Sequence, residues 1–138
     1  MAMTPRQKFA RYTEPSTTRL SSAFAGVPEG AMLHISTPAA LDARIRAIPR
    51  GETMSVVDLR AELADAHGAD ATCPVTTSMY LRIVADVALL DLEEGADIDT
   101  IAPFWRVIEP SSPIAKRIDG AADFIAARRA EEGIVSGR

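Results

Sequence analysis

The sequence predicts a mainly α-helical domain with a small β element, in the order of a winged helix-turn-helix. Three observations predict it. Apolar residues recur at helical spacing between Thr37 and Glu94. Pro49-Arg50-Gly51, Gly68 and Gly95 cut that stretch into separate helices. A run rich in aromatic and β-branched residues, Ile101 to Ile108, is interrupted by Pro103 and closed by Pro110, which leaves little room for a helix.

Residues 1–35 read as an N-terminal extension to a domain over 36–138. Arg6 to Tyr12 suits one or two helical turns, Pro15-Ser16-Thr17-Thr18 interrupts, and Pro28-Glu29-Gly30 is a turn signal. Ala31 to Ile35 suits a short strand. The segment has too few large apolar residues to fold alone, so it is expected to pack on the domain over 36–138. Ser36-Thr37-Pro38 then opens a helix with a hydroxyl cap and proline in the first turn. Leu41, Ile45 and Ile48 form its apolar stripe. Ser55, with Asp58 three residues on, has the form of a second N-terminus. Val57, Leu59 and Leu63 supply that helix's core side, and Gly68 ends it after His67.

A loop is expected from Gly68 to Cys73-Pro74. The next helix starts at a Thr76 or Thr77 cap and runs to about Glu94, with Met79, Ile83, Val87 and Leu90 as its buried stripe and Ser78, Arg82, Asp86 and Leu89 on another face. Trp105 to Ile108 is expected to be a strand. Pro113 to Ile118 suits a short helical turn. Gly120 precedes a last helix with Phe124 and Ile125 inside and Arg128, Arg129, Glu131 and Glu132 outside.

With 138 residues, 47% hydrophobic and 25% charged, the chain holds one ordinary domain able to bury a real core. Its longest apolar runs, Val87 to Leu90 and Phe124 to Ala127, are too short to span a bilayer. No apolar stretch comes after the basic residues of the N-terminus, so no secretory signal is expected. Cys73 is the single cysteine, which excludes an internal disulfide and a cysteine-based zinc cage and fits a reducing cytoplasm. A net charge of −4 argues against indiscriminate binding to nucleic acid. Acidic residues concentrate in the middle of the chain and basic ones near its ends, so a DNA-binding face would be small. Asp97 and Asp99 have no evident metal partner nearby, and His34 and His67 are isolated in sequence. No metal or cofactor is expected.

Three short motifs occur in order: Ile48-Pro49-Arg50-Gly51-Glu52, Leu81-Arg82-Ile83-Val84-Ala85 and Pro103-Phe104-Trp105-Arg106-Val107-Ile108. On these, the stretch from Thr37 to Gly133 resembles the C-terminal domain of alkylguanine-DNA alkyltransferases and the related alkyltransferase-like proteins. The resemblance implies a winged helix whose helix over 76–94 presents its outer face to double-stranded DNA. It puts Thr77, Ser78 and Arg82 at the DNA, with Arg82 at the position of the arginine that fills the space left by a flipped base, and it places Trp105 and Arg106 in the site strip. A helix across Arg82 and a strand over Trp105 to Ile108 are the structural features on which it stands.

Phe104 occupies the place of the alkyl-accepting cysteine and Trp105 that of the histidine that activates it. Suicide alkyl transfer needs a thiolate and a base to form it, so no enzymatic activity is expected. Val56 stands for the family's base-turning tyrosine, and with Phe104 and Trp105 it is expected to fill the pocket for an extruded base. Plainer readings stand beside these. Arg82 has Asp86 one turn away for an ordinary helix ion pair, Arg106 suits a bracing role, and Trp105 suits a core anchor as well as base stacking. Two functions are compatible with the residues: non-covalent binding of DNA or a damaged base, or a protein-interaction module that kept the fold and lost DNA binding.

Overall fold

The computed structural model describes residues 2–135; the last three positions of the domain expected over 36–138 lie outside the described residues. The chain is mainly helical, with a three-stranded sheet. Helix α1 spans Pro5–Arg11 and is opened by Thr4, whose hydroxyl accepts from the Gln7 amide while the Gln7 side chain accepts from the Thr4 amide. Strand β1 (Ser16–Arg19) pairs antiparallel with β2 (Met32–Ile35), Thr17 opposite His34. Helices α2 (Pro38–Arg46) and α3 (Val56–Ala66) start at Thr37 and Ser55, whose hydroxyls accept from the Ala40 and Asp58 amides. Strand β3 (Ala71–Thr72) pairs parallel with β2. Helix α4 covers Pro74–Glu93, α5 Pro113–Lys116 and α6 Ala121–Glu131.

Several expectations need correcting. The segment read as an interruption, Pro15 to Thr18, carries β1, and the loop expected from Gly68 to Cys73 carries β3. Neither tetrapeptide nor dipeptide alternates in polarity; both are strands because β2 lies between them and pairs with each. Helix α4 begins at Pro74, earlier than a Thr76 or Thr77 cap allows. Proline needs no partner for its missing N–H at a helix start, and Thr77 instead donates its hydroxyl to the Cys73 carbonyl at 2.7 Å. The strand expected over Trp105 to Ile108 is replaced by a 3₁₀ turn, Phe104–Arg106. One of the two structural supports of the resemblance is therefore missing, while the helix across Arg82 is present.

The core forms where α4 runs through the molecule. Helix α4 packs on α1, α2 and α5, and its buried residues are Thr77, Tyr80, Leu81, Ile83, Val84, Ala85 and Ala88. The expected stripe is displaced: Met79 is 42% exposed and Val87 and Leu90 are half-buried. Small residues, Ala85 and Ala88, let neighbouring elements approach closely, and a reading weighted to large side chains misses them. Val57, expected inside, is 64% exposed at the start of α3. Phe104 and Ile125 are fully buried, and Phe104 stacks on Phe124 with ring centroids 5.6 Å apart. Each such side chain contributes about 1.5–3 kcal/mol on burial. No helix among the described residues is long and apolar enough to cross a membrane.

The N-terminal segment packs on the rest as expected. Arg6 pairs with Asp91 of α4 and Glu94 just beyond it at 2.5 and 2.8 Å, and the Tyr12 and Tyr80 rings lie 5.1 Å apart. These exposed ion pairs contribute little individually; the sheet pairing matters more. On β2, His34 is 1% exposed, shares a hydrogen bond with Thr17 at 3.0 Å, and stacks on His67 at 3.9 Å. Burial, and then the neighbouring His67, lower the His34 pKa below its ordinary 6.5.

A histidine held neutral in the folded state resists a proton that the unfolded chain accepts. Its contribution is complete above about pH 6.5 and is lost as the pH falls below that value. Melting temperature is expected to drop on acidification from about pH 7 to 5. His34→Asn, which keeps a partner for the Thr17 hydroxyl, should flatten that drop; an unchanged slope would exclude the histidine stack as its source.

Candidate functional site

Val75, Ser78, Met79 and Arg82 succeed one another at the three- and four-residue spacing that puts them on one face of α4. Pro113 and Ile114 of α5, with Arg117 at its end, face them across a groove of about 410 Å³. Its floor is apolar, and Val75 at 57% and Met79 at 42% exposure leave that surface open to a partner. Arg82 and Arg117 line it with positive charge. The Arg82 guanidinium sits 3.8 Å from Asp86, beyond hydrogen-bond length, and is half exposed. The plainer helix ion pair is thus present but loose. Burial raises the Asp86 carboxyl above its ordinary range, against the pull of Arg82 and Lys8, and Asp86 does not line the groove.

On the other side of the Glu109–Pro113 segment lies a second cavity, of about 290 Å³. Met54, Val56, Val107 and Ile108 give it apolar walls, and Ser112 and Arg129 also line it. Phe104 and Trp105 do not line it; both are packed in the core, 0% and 2% exposed. Arg129, expected outside, is 3% exposed because its Nε donates to the Trp105 carbonyl at 2.7 Å.

The strip itself is held by Glu132, which is expected in solvent from its sequence neighbours and is instead fully buried. Its two oxygens accept from Arg106 Nε at 2.9 Å and from a terminal nitrogen of Arg106 at 2.8 Å, a bidentate pairing. The Trp105 indole N–H donates to it at 2.7 Å and the Gly51 amide at 3.0 Å. The remaining Arg106 terminal nitrogen donates to the Ile48 carbonyl at 2.8 Å, and the Arg106 carbonyl accepts from the Met54 amide at 2.9 Å. Gly51 has φ +85°, where a side chain is strained. Burial pushes the Glu132 carboxyl up, but the hydrogen bonds from Arg106, Gly51 and Trp105 outweigh it and hold it at about 2.

The five residues expected at a site therefore fall into three groups. Ser78 and Arg82 meet in the α4–α5 groove. Thr77 is 1% exposed with its hydroxyl turned to the backbone, and Trp105 and Arg106 serve the Glu132 network, with their faces toward a different cavity. Sequence reasoning misses Arg117, Met79 and Glu132 as site residues. Arg117 carries the signal of a basic residue at the end of a short helix; Glu132 carries none. Cys73 is buried at the start of α4. Among the described residues no group of three or more His, Cys, Asp or Glu side chains is placed to hold a metal ion.

Glu132→Gln would leave the Arg106 guanidinium buried without a counter-charge, and urea unfolding is expected to show a loss of about 3–5 kcal/mol. In the unaltered protein the Glu132 contribution is present above pH 4.5 and disappears as the pH falls toward 2. A loss below about 1 kcal/mol would show that the network is not structural.

Comparison of the chain with family models, curated proteins and solved structures finds no match.

Proposed function

We propose that this protein is a non-catalytic DNA-binding module that works through the α4–α5 groove. The observation that carries the reading is the pairing of an apolar floor with two arginines, Arg82 and Arg117, beside a separate cavity at Val56. Guanidinium groups take phosphate oxygens. An apolar slot next to them suits an unstacked base. The helix-turn-helix order of α3 and α4 and the likeness to alkyltransferase-like proteins support the same reading. The strand that likeness needs over Trp105 to Ile108 is absent, so the wing drops out and the proposal rests on the groove. With Phe104 and Trp105 in the strip and Cys73 buried, no group stands ready to accept an alkyl group, and binding would be non-covalent.

A second reading has an observation of its own. Val75 and Met79 are exposed in the groove, and an apolar face on a chain of net charge −4 suits a protein partner. The two readings differ in salt dependence. Binding of a duplex, monitored by mobility shift, is expected to weaken steeply as salt rises. Arg82→Ala and Arg117→Ala should each weaken it and reduce the slope of log K against log salt by about 1. No binding at low salt would retire the DNA reading in favour of the protein partner.

A further inference from the structure

A third cavity, of about 250 Å³, shares no residue with the groove or the Val56 cavity. Four arginines line it: Arg46 from α2, Arg50 from the turn before α3, Arg106 from the strip and Arg128 from α6. Their donors are unequally used. Arg106 is engaged at all three nitrogens, by Glu132 and Ile48. Arg46 donates its Nε to Asp42 at 2.6 Å and one terminal nitrogen to the Thr100 carbonyl at 2.8 Å, which leaves the other. Arg50 makes one hydrogen bond, to the Glu131 carbonyl at 3.2 Å, and a loose ion pair with the Glu131 carboxylate at 3.7 Å. The Arg128 side chain makes no hydrogen bond or ion pair to any described residue, and its Nε is sealed from solvent without a partner. It is held in place by the Trp105 ring, 5.3 Å below it.

The acids do not cancel this charge inside the cavity. Glu132 is fully taken by Arg106, Trp105 and Gly51. Asp42 and Glu131, the partners of Arg46 and Arg50, are not among the lining residues. Asp99 alone faces the cavity without an ion pair. A guanidinium cannot be neutralised by losing its proton, so the unpaired terminal nitrogens of Arg128, with the free one of Arg46, are the donors that a bound anion can take.

We propose that this cavity is a binding site for a small phosphate-bearing ligand. Guanidiniums converge on it from α2, the turn at Arg50 and α6. A tetrahedral dianion offers acceptor oxygens in all of these directions, whereas a carboxylate presents two oxygens in one plane. Ile98 and Ile101 also border the cavity, but Ile101 is buried, so the phosphate group is the part of the ligand that the site recognises. At about 250 Å³ the cavity is smaller than the 410 Å³ groove and suits a small molecule.

Trp105 is the only tryptophan and lies against both Arg106 and Arg128, so its fluorescence reports on the site. Inorganic phosphate, titrated at constant ionic strength with chloride as the replaced anion, is expected to give a saturable change, with calorimetry as a second readout. Arg128→Gln and Arg50→Gln each remove a half-buried or exposed side chain and should weaken binding tenfold or more. Asp99→Asn should tighten it. Arg82→Ala should leave it unchanged, which separates this site from the groove. Duplex DNA should not compete. The proposal is overturned by no saturable response in either readout, by the same response to chloride, by full binding in both arginine variants, or by a duplex that displaces phosphate.

Discussion

The buried Glu132 carboxylate accepts hydrogen bonds from the Gly51 amide, the Trp105 indole and the Arg106 guanidinium, and Arg106 in turn reaches the Ile48 carbonyl. Three segments distant in sequence are thereby tied to one charge. These are the turn between α2 and α3, the strip before α5, and the end of α6. A buried ion pair of this kind is weak evidence of net stability, since desolvating two charges offsets much of their attraction. Its effect is on uniqueness: any other packing of these segments leaves a charge or an indole N–H without a partner. The network also sets the conformation of the strip. The strip is a 3₁₀ turn, and Arg106 reaches Glu132 bidentately from it.

The same network separates the molecule's surfaces. Phe104 and Trp105 are packed in the core, and Arg129, anchored on the Trp105 carbonyl, is a buried cation at the edge of the cavity beside Val56. On the opposite side of the strip, Arg106 is held by Glu132 while Arg128 stacks over the same indole without a carboxylate of its own. One tryptophan thus supports a neutralised arginine and an unneutralised one. Which arginine is free to meet a ligand is decided by which one Glu132 reaches.

Local chemistry made much of the helical frame legible. Thr37 before Pro38 and Ser55 before Val56 each place a hydroxyl where a helix needs an acceptor for its first amides, and each does so in the structure. What could not be read depends on partners far along the chain. Ser16 to Arg19 has no strand pattern and becomes one by pairing with β2. Glu132 sits among charged residues at a helix end and reads as solvated; its burial depends on Arg106, 26 residues earlier, and Gly51, 81 residues earlier. His34 and His67, isolated in sequence, stack because β2 passes the end of α3. Of the site, Arg82 and Ser78 were legible from helix periodicity, whereas Arg117 joins them only because α5 packs back on α4.

The motif likeness and the geometry bear on each other in a specific way. Ile48 to Glu52 and Pro103 to Ile108 are separate in sequence, and each is ordinary alone. In the structure they meet, since Ile48 and Gly51 of the first and Trp105 and Arg106 of the second form one hydrogen-bonded unit with Glu132. Arginine and glycine are required there by physics: a planar fork for a bidentate carboxylate, and a backbone at φ +85° whose amide can reach it. Those requirements belong to the scaffold and say nothing about a nucleophile. A sequence is therefore able to keep both motifs while Phe104 and Trp105 replace the chemistry between them. The retained motifs are evidence for how the strip is held, and the groove and the arginine cavity must be judged on their own residues.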